Sequence, residues 1–226
     1  MGEIVLALNT KDREQALSWV RLFKDRVRIF KIGLPLFSHY GHSIVEEIKN
    51  EDVKIFLDMK LHDIPSVVGD SVLALRELGV DYITVHLTGG MDMAKSALEA
   101  AGDRVEIIGV TILTSLDKEK LERMFGVALD VNEVVSNLVE EFTKVGGKNV
   151  VLSGREAPDV KKKFGVRVFV PGIRFANESS GDQSRVVTPE FARDHNFDFI
   201  VVGRSVTHDP EPEKALNRVI EEFYGA

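Results

Sequence analysis

The chain has 226 residues, 44% hydrophobic and 29% charged, the balance of a soluble globular protein long enough for a substantial core. A net charge of −7 argues against nonspecific nucleic-acid binding, so an anionic ligand would have to be drawn in by a local basic cluster. The absence of cysteine excludes disulfides and thiolate chemistry; no apolar run suits a signal peptide or a membrane span, and the expected location is the cytoplasm.

Eight short runs rich in Val and Ile recur along the chain. They are Ile4 to Leu8, Val27 to Ile32, Val53 to Leu57, Tyr82 to Val85, Val105 to Val110, Asn149 to Leu152, Val166 to Val170 and Phe199 to Val202. Being apolar on both faces, they read as parallel strands covered by helices rather than as alternating antiparallel ones. Helix signals lie between them. Thr10 can cap a helix whose stripe is Ala16, Val20 and Phe23. Val68, Val72, Leu75 and Leu78 form a stripe closed by Gly79, and Gly102 ends the segment from Met91 to Ala101. Asp130 with Glu133 makes an acidic capping box before a helix that Gly146 stops, and a last helix runs from about Glu211 to Phe223.

About eight helices alternating with eight strands predict an α/β protein, a (β/α)8 barrel filling residues 1–226 as a single domain. An open doubly wound sheet is the alternative. It commonly carries a Gly-rich fingerprint after its first strand, where this chain has Asn9-Thr10-Lys11-Asp12.

Active-site groups of a barrel gather at the C-terminal strand ends. Found there are Asn9, Lys31, Asp58 with Lys60, His86, Thr114 with Ser115, Pro171-Gly172 and Gly203-Arg204. The densest group is Asp58-Met59-Lys60-Leu61-His62-Asp63. Residues two apart on a strand share a face, so Asp58 and Lys60 point together. The pair is either a solvated strand end or a site, and its company at the other strand ends favours a site. Lys31 can snorkel to the surface or join an alternating array with Asp58, Lys60 and Asp63. Flanking carboxylates would keep Lys60 an ammonium, suited to donate a proton rather than to form a Schiff base. In barrels the loops after strands seven and eight commonly hold phosphate through backbone N–H groups, and Arg204 adds a charged fork. The polar stretch from Phe175 to Arg185 is a lid or a plain surface loop. His86 is expected to be a site wall or a structural residue, His62 to pack, and Ser153-Gly154-Arg155-Glu156 to be loop architecture rather than a nucleophile site.

Six motifs in this order resemble the orotidine 5′-monophosphate decarboxylase family over essentially the whole chain. They are Phe30-Lys31-Ile32-Gly33, Asp58-x-Lys60-x-x-Asp63-Ile64-Pro65, Thr84-Val85-His86, Leu113-Thr114-Ser115, Pro171-Gly172-Ile173-Arg174 with Gly181-Asp182-Gln183, and Val202-Gly203-Arg204-Ser205. The resemblance implies conversion of orotidine 5′-monophosphate to UMP in pyrimidine biosynthesis, without cofactor or metal. It implies that Lys60 protonates C6 of the pyrimidine as CO2 leaves, and that Asp58 faces the departing carboxylate. Lys31 and Asp63 would contact the ribose. Asp63, with Ile64, Pro65 and Val67 near it, would reach across a homodimer interface into the neighbouring site. Thr114 or Ser115 would contact the pyrimidine edge, and Gln183, Arg204 and the Gly203 amide would hold the phosphate, with Arg174 close by.

Two positions depart from the family's usual pattern: Asn9 stands where Asp is usual, and Val67 where Thr is usual. Both bear on substrate affinity more than on proton donation. Magnesium-dependent sugar-phosphate relatives on the same barrel offer Glu at the Lys31 position, and a lysine there repels the cation. A noncatalytic phosphate-binding barrel is the remaining alternative; it would be expected to lose the acid–base array, and the array is intact.

Overall fold

Each of the eight runs becomes a strand: β1 (Glu3–Leu8), β2 (Ile29–Gly33), β3 (Lys54–Leu61), β4 (Tyr82–His86), β5 (Glu106–Val110), β6 (Asn149–Val151), β7 (Arg167–Pro171) and β8 (Phe199–Val202). In the computed structural model, which describes residues 2–176 and 185–225, they pair in parallel and in sequence order, and β8 returns to β1 to close the barrel. The helices are α1 (Arg13–Phe23), α2 (Leu34–Tyr40), α3 (His42–Lys49), α4 (Pro65–Glu77), α5 (Met91–Ala101), α6 (Lys118–Phe125), α7 (Val131–Lys144), α8 (Ala157–Phe164), α9 (Pro189–Asp194), α10 (Arg204–Thr207) and α11 (Pro212–Tyr224). Eight of them cover the barrel. The three extra ones, α2, α6 and α10, follow strands at the C-terminal mouth. Among the described residues no helix is long and apolar enough to cross a membrane.

The period-two alternation of the strands divides the core in two. Outward residues such as Leu6, Ile32, Leu57, Ile83 and Val170 pack under the helices. Inward residues Val5, Ile29, Phe56, Tyr82, Ile108, Phe169 and Phe199 fill the barrel. Phe169 stacks on Phe199 at 3.9 Å between ring centroids, and Phe56 and Tyr82 meet Phe169 edge-on, so aromatic rings form a solid floor. The next inward positions toward the mouth are Lys31, Asp58 and Thr84, so the same alternation that builds the floor aims polar groups above it.

Local signals explain most element ends. Helices α4, α5 and α7 stop where Gly79, Gly102 and Gly146 follow with positive φ, as expected. Asp130 caps α7, accepting from the N–H groups of Asn132 and Glu133. The cap of α1 differs from expectation. Asp12 is the N-cap, accepting from the Gln15 N–H, while the Thr10 hydroxyl accepts from the Asp12 N–H two residues too early to cap.

Strand β3 runs four residues beyond the expected Leu57, and its pairing with β4 is irregular there. Leu57 pairs with Ile83 and Leu61 with Val85, so Asp58, Met59 and Lys60 stand against Thr84 alone. Charges at the opposite, N-terminal end of the barrel serve the fold. Asp198 pairs with Lys161 at 2.8 Å and accepts from the Val168 N–H, and Arg167 pairs with Glu106.

Candidate active site

Strand β3 brings Asp58 and Lys60 to the mouth together, although not by plain extended geometry. Lys60 has φ +48, the left-handed region that a non-glycine residue enters at a cost of about 1–3 kcal/mol. Its Nζ still reaches Asp58 Oδ1 at 2.7 Å, and Lys31 Nζ from β2 donates to Asp58 Oδ2 at 3.0 Å. The Asp58 carboxylate is largely buried, and burial alone would raise its pKa. The two ammoniums outweigh that, and Asp58 is held well below the usual carboxylate range.

A cavity of about 440 Å³ opens above this cluster. Phe56 is its floor, Val110 and Ile112 form an apolar wall, and Asn9, Lys31, Asp58, Lys60, Thr114, Arg174, Gly203 and Arg204 supply polar lining. Among the described residues the lining sets four cationic side chains against a single carboxylate. This is the local basic cluster that a chain of net charge −7 needs to draw in an anion. Gly203 and Asn9 approach closely here: a Cβ on Gly203 would lie 2.6 Å from Asn9 Nδ2, so a side chain there would displace the Asn9 amide from its place at the mouth.

Of the expected site residues, the fold brings these eight polar or glycine positions together and separates five others. Ser115 does not line the cavity; its carbonyl accepts from Lys120 Nζ, which leaves Thr114 as the hydroxyl facing the site. Asp63 departs from the expected four-charge array. Its side chain is exposed, and its one hydrogen-bond partner among the described residues is the Ile64 N–H at 2.7 Å. The strand has ended by then, so the side-chain alternation that unites Asp58 and Lys60 no longer applies to Asp63. Ile64, Pro65 and Val67 are likewise exposed at the start of α4 and outside the cavity. Gln183 lies outside the described residues.

Ser153 is fully buried, its hydroxyl accepting from the Arg155 N–H, as loop architecture requires. His62 stacks on His86 with centroids 5.4 Å apart. Burial, then the facing His62 and Lys60, push the half-buried His86 imidazole below its ordinary value. Two contributors were not expected as such. Thr84 is buried completely; its hydroxyl accepts from the Lys60 N–H and donates to Asp58. The sequence signal was a hydroxyl in period with Tyr82 on an otherwise apolar strand. Arg185 pairs with the buried Glu156 and donates to the Leu113 carbonyl at 3.2 Å, tying the end of the polar stretch to the segment that carries Thr114.

Residues 2–219 match the family described as Orotidine 5'-phosphate decarboxylase / HUMPS family. The chain belongs to that family. It is 38% identical over 98% of its length, and 98% of the relative's, to the orotidine 5'-phosphate decarboxylase of Wolbachia pipientis subsp. Culex pipiens. It is 38% identical, with 99% of both chains covered, to the enzyme of the same name from Listeria monocytogenes serotype 4b. The crystal structure of orotidine 5'-phosphate decarboxylase from Lactobacillus acidophilus superposes with a TM-score of 0.84 at 29% identity, covering 99% of each chain. The matched residues 2–219 include all eight strands of the barrel.

Proposed function

We propose that this chain decarboxylates orotidine 5′-monophosphate to UMP in pyrimidine biosynthesis, in the cytoplasm and without metal or cofactor. The observation that carries the proposal is the pair of ammoniums, Lys31 and Lys60, fixed on one buried carboxylate above an aromatic floor. The substrate bears a carboxylate and a phosphate of nearly two charges, and a cavity with four cations complements both. In the reaction the C6–carboxylate bond breaks, CO2 leaves, and the electron pair remaining on C6 takes a proton from the Lys60 ammonium. Asp58 holds Lys60 aimed until that moment, and it faces the departing carboxylate. A fixed positive charge beside the developing carbanion is worth most where water is excluded.

Lys31 takes the ribose, with Asn9 beside it, and Thr114 takes the pyrimidine edge. The Gly203 amide and Arg204 hold the phosphate with Arg174 adjacent, and Gln183 joins them by the family resemblance. Asp63, together with Ile64, Pro65 and Val67, serves the neighbouring site of a homodimer. Two facts support that assignment: Asp63 turns away from its own chain's cluster, and it stands beside exposed apolar side chains, Ile64 at 62% and Val67 at 44%. Against magnesium-dependent sugar-phosphate chemistry stands the Lys31 ammonium, 3.0 Å from Asp58, where a divalent cation would need a second carboxylate. The test is loss of substrate absorbance when purified protein meets orotidine 5′-monophosphate, with and without EDTA. Equal turnover in both is expected; no turnover would refute the proposal, and turnover abolished by EDTA would favour the metal-dependent relatives.

A further inference from the structure

The geometry points to Thr84 as a positioning residue whose single buried hydroxyl holds Lys60 and Asp58 in register for proton transfer. The inference rests on the reading of Lys60 as the proton donor. Its physical basis is the break in the β3–β4 ladder. Between the Leu57–Ile83 and Leu61–Val85 pairs, three residues of β3 face Thr84 alone, so the Lys60 N–H stands where the regular pairing has lapsed. The Thr84 side chain supplies the missing acceptor, at 2.8 Å from the Lys60 nitrogen.

Direction follows from donor chemistry. A backbone N–H can only donate, so Thr84 Oγ1 accepts from it; the hydroxyl's one hydrogen is left for Asp58 Oδ1, 3.1 Å away. That oxygen also receives Lys60 Nζ at 2.7 Å. Lys60 is thereby tied at both ends through two residues: backbone to Thr84, Thr84 to Asp58, and Asp58 back to the ammonium. The loop holds a left-handed lysine, φ +48, that has few other reasons to stay there. Thr84 is fully buried and does not line the cavity, so it acts through Lys60 and Asp58 and not on substrate.

The alternative role is that of a β-branched side chain filling space between β3 and β4. Thr84→Val keeps the shape and deletes the hydroxyl, and Thr84→Ser keeps the hydroxyl and deletes the methyl. For Thr84→Val we expect kcat to fall by roughly ten- to a hundredfold while KM and UMP affinity move by less than about threefold, the cost of loosening a charged hydrogen-bond pair. Thr84→Ser should restore most of kcat. A Val variant with kcat within about twofold of wild type, or Ser no better than Val, overturns the positioning role. Should the Val protein fail to fold, the Ser and Ala variants isolate the hydroxyl, and equal kcat for those two overturns it equally. Wild type assayed alongside separates the two layers: an inactive wild type refutes the decarboxylase reading itself, whereas an active wild type matched by Thr84→Val refutes the positioning role alone.

Discussion

Lys31→Met tests whether the charged cluster contributes to the fold as well as to the site. Methionine keeps the length and apolar stem of lysine but leaves Asp58 Oδ2 without its donor, in a carboxylate whose side chain is 13% exposed. At an effective dielectric of about 20, two unit charges 3.0 Å apart attract by roughly 5–6 kcal/mol before desolvation is counted. Much of that is offset because the variant no longer desolvates an ammonium, so the expected net loss is about 2–3 kcal/mol, just under the range for breaking a fully buried pair. For a chain of this size that lowers Tm by roughly 5–10 °C. The pH dependence has a definite sign. Asp58 is depressed in the folded state by its two lysines, so its contribution is present above the unfolded value near 4 and lost as pH falls toward the folded one. The difference between wild type and Lys31→Met should therefore be level from about pH 8 to 5 and narrow below about pH 4. Urea denaturation followed by the single buried tryptophan, Trp19, at several pH values measures it. A variant as stable as wild type, or a difference that does not narrow in acid, would show that Lys31 contributes nothing to holding Asp58.

Arg204→Ala should weaken UMP binding by roughly tenfold or more, the value of a charge-assisted contact to phosphate, with folding unchanged; calorimetric titration checks it, and unaltered affinity removes Arg204 from the phosphate site. The dimer assignment predicts that Asp63→Ala and Lys60→Ala proteins, each nearly inactive, regain activity when mixed and allowed to exchange subunits. A hybrid pair then holds one site with both wild-type side chains. Persistent inactivity of hybrids shown to have formed, or an active monomer by sedimentation, would refute the contribution of Asp63 across an interface.

Much of the barrel was legible because its physics is one-dimensional. Runs such as Ile4 to Leu8 and Phe199 to Val202 must be covered on both faces, and a closed parallel barrel does that with helices outside and its own inward side chains within. The strand ends carried the site for the same reason, since inward alternation through Phe56 to Asp58, and from Ile29 to Lys31, needs no tertiary knowledge. What escaped depends on neighbours or on backbone detail. The apolar run that marks β3 stops at Leu57, yet cross-strand pairing carries the strand to Leu61. Thr10 and Asp12 are both good caps, and helix entry at Arg13 selects Asp12. Spacing alone also grouped Asp63 with the cluster of its own chain, because spacing cannot report that the strand ends before it. The role of Thr84 depends on a bulge that no single-strand pattern reveals.

The central claim is that Lys60 supplies the proton to C6. Lys60→Ala should abolish loss of orotidine 5′-monophosphate absorbance, by several orders of magnitude in kcat, while UMP affinity measured on the same preparation stays within about tenfold of wild type. Turnover by Lys60→Ala within tenfold of wild type would contradict the claim, because no other ammonium is both paired with Asp58 and carried by the same strand.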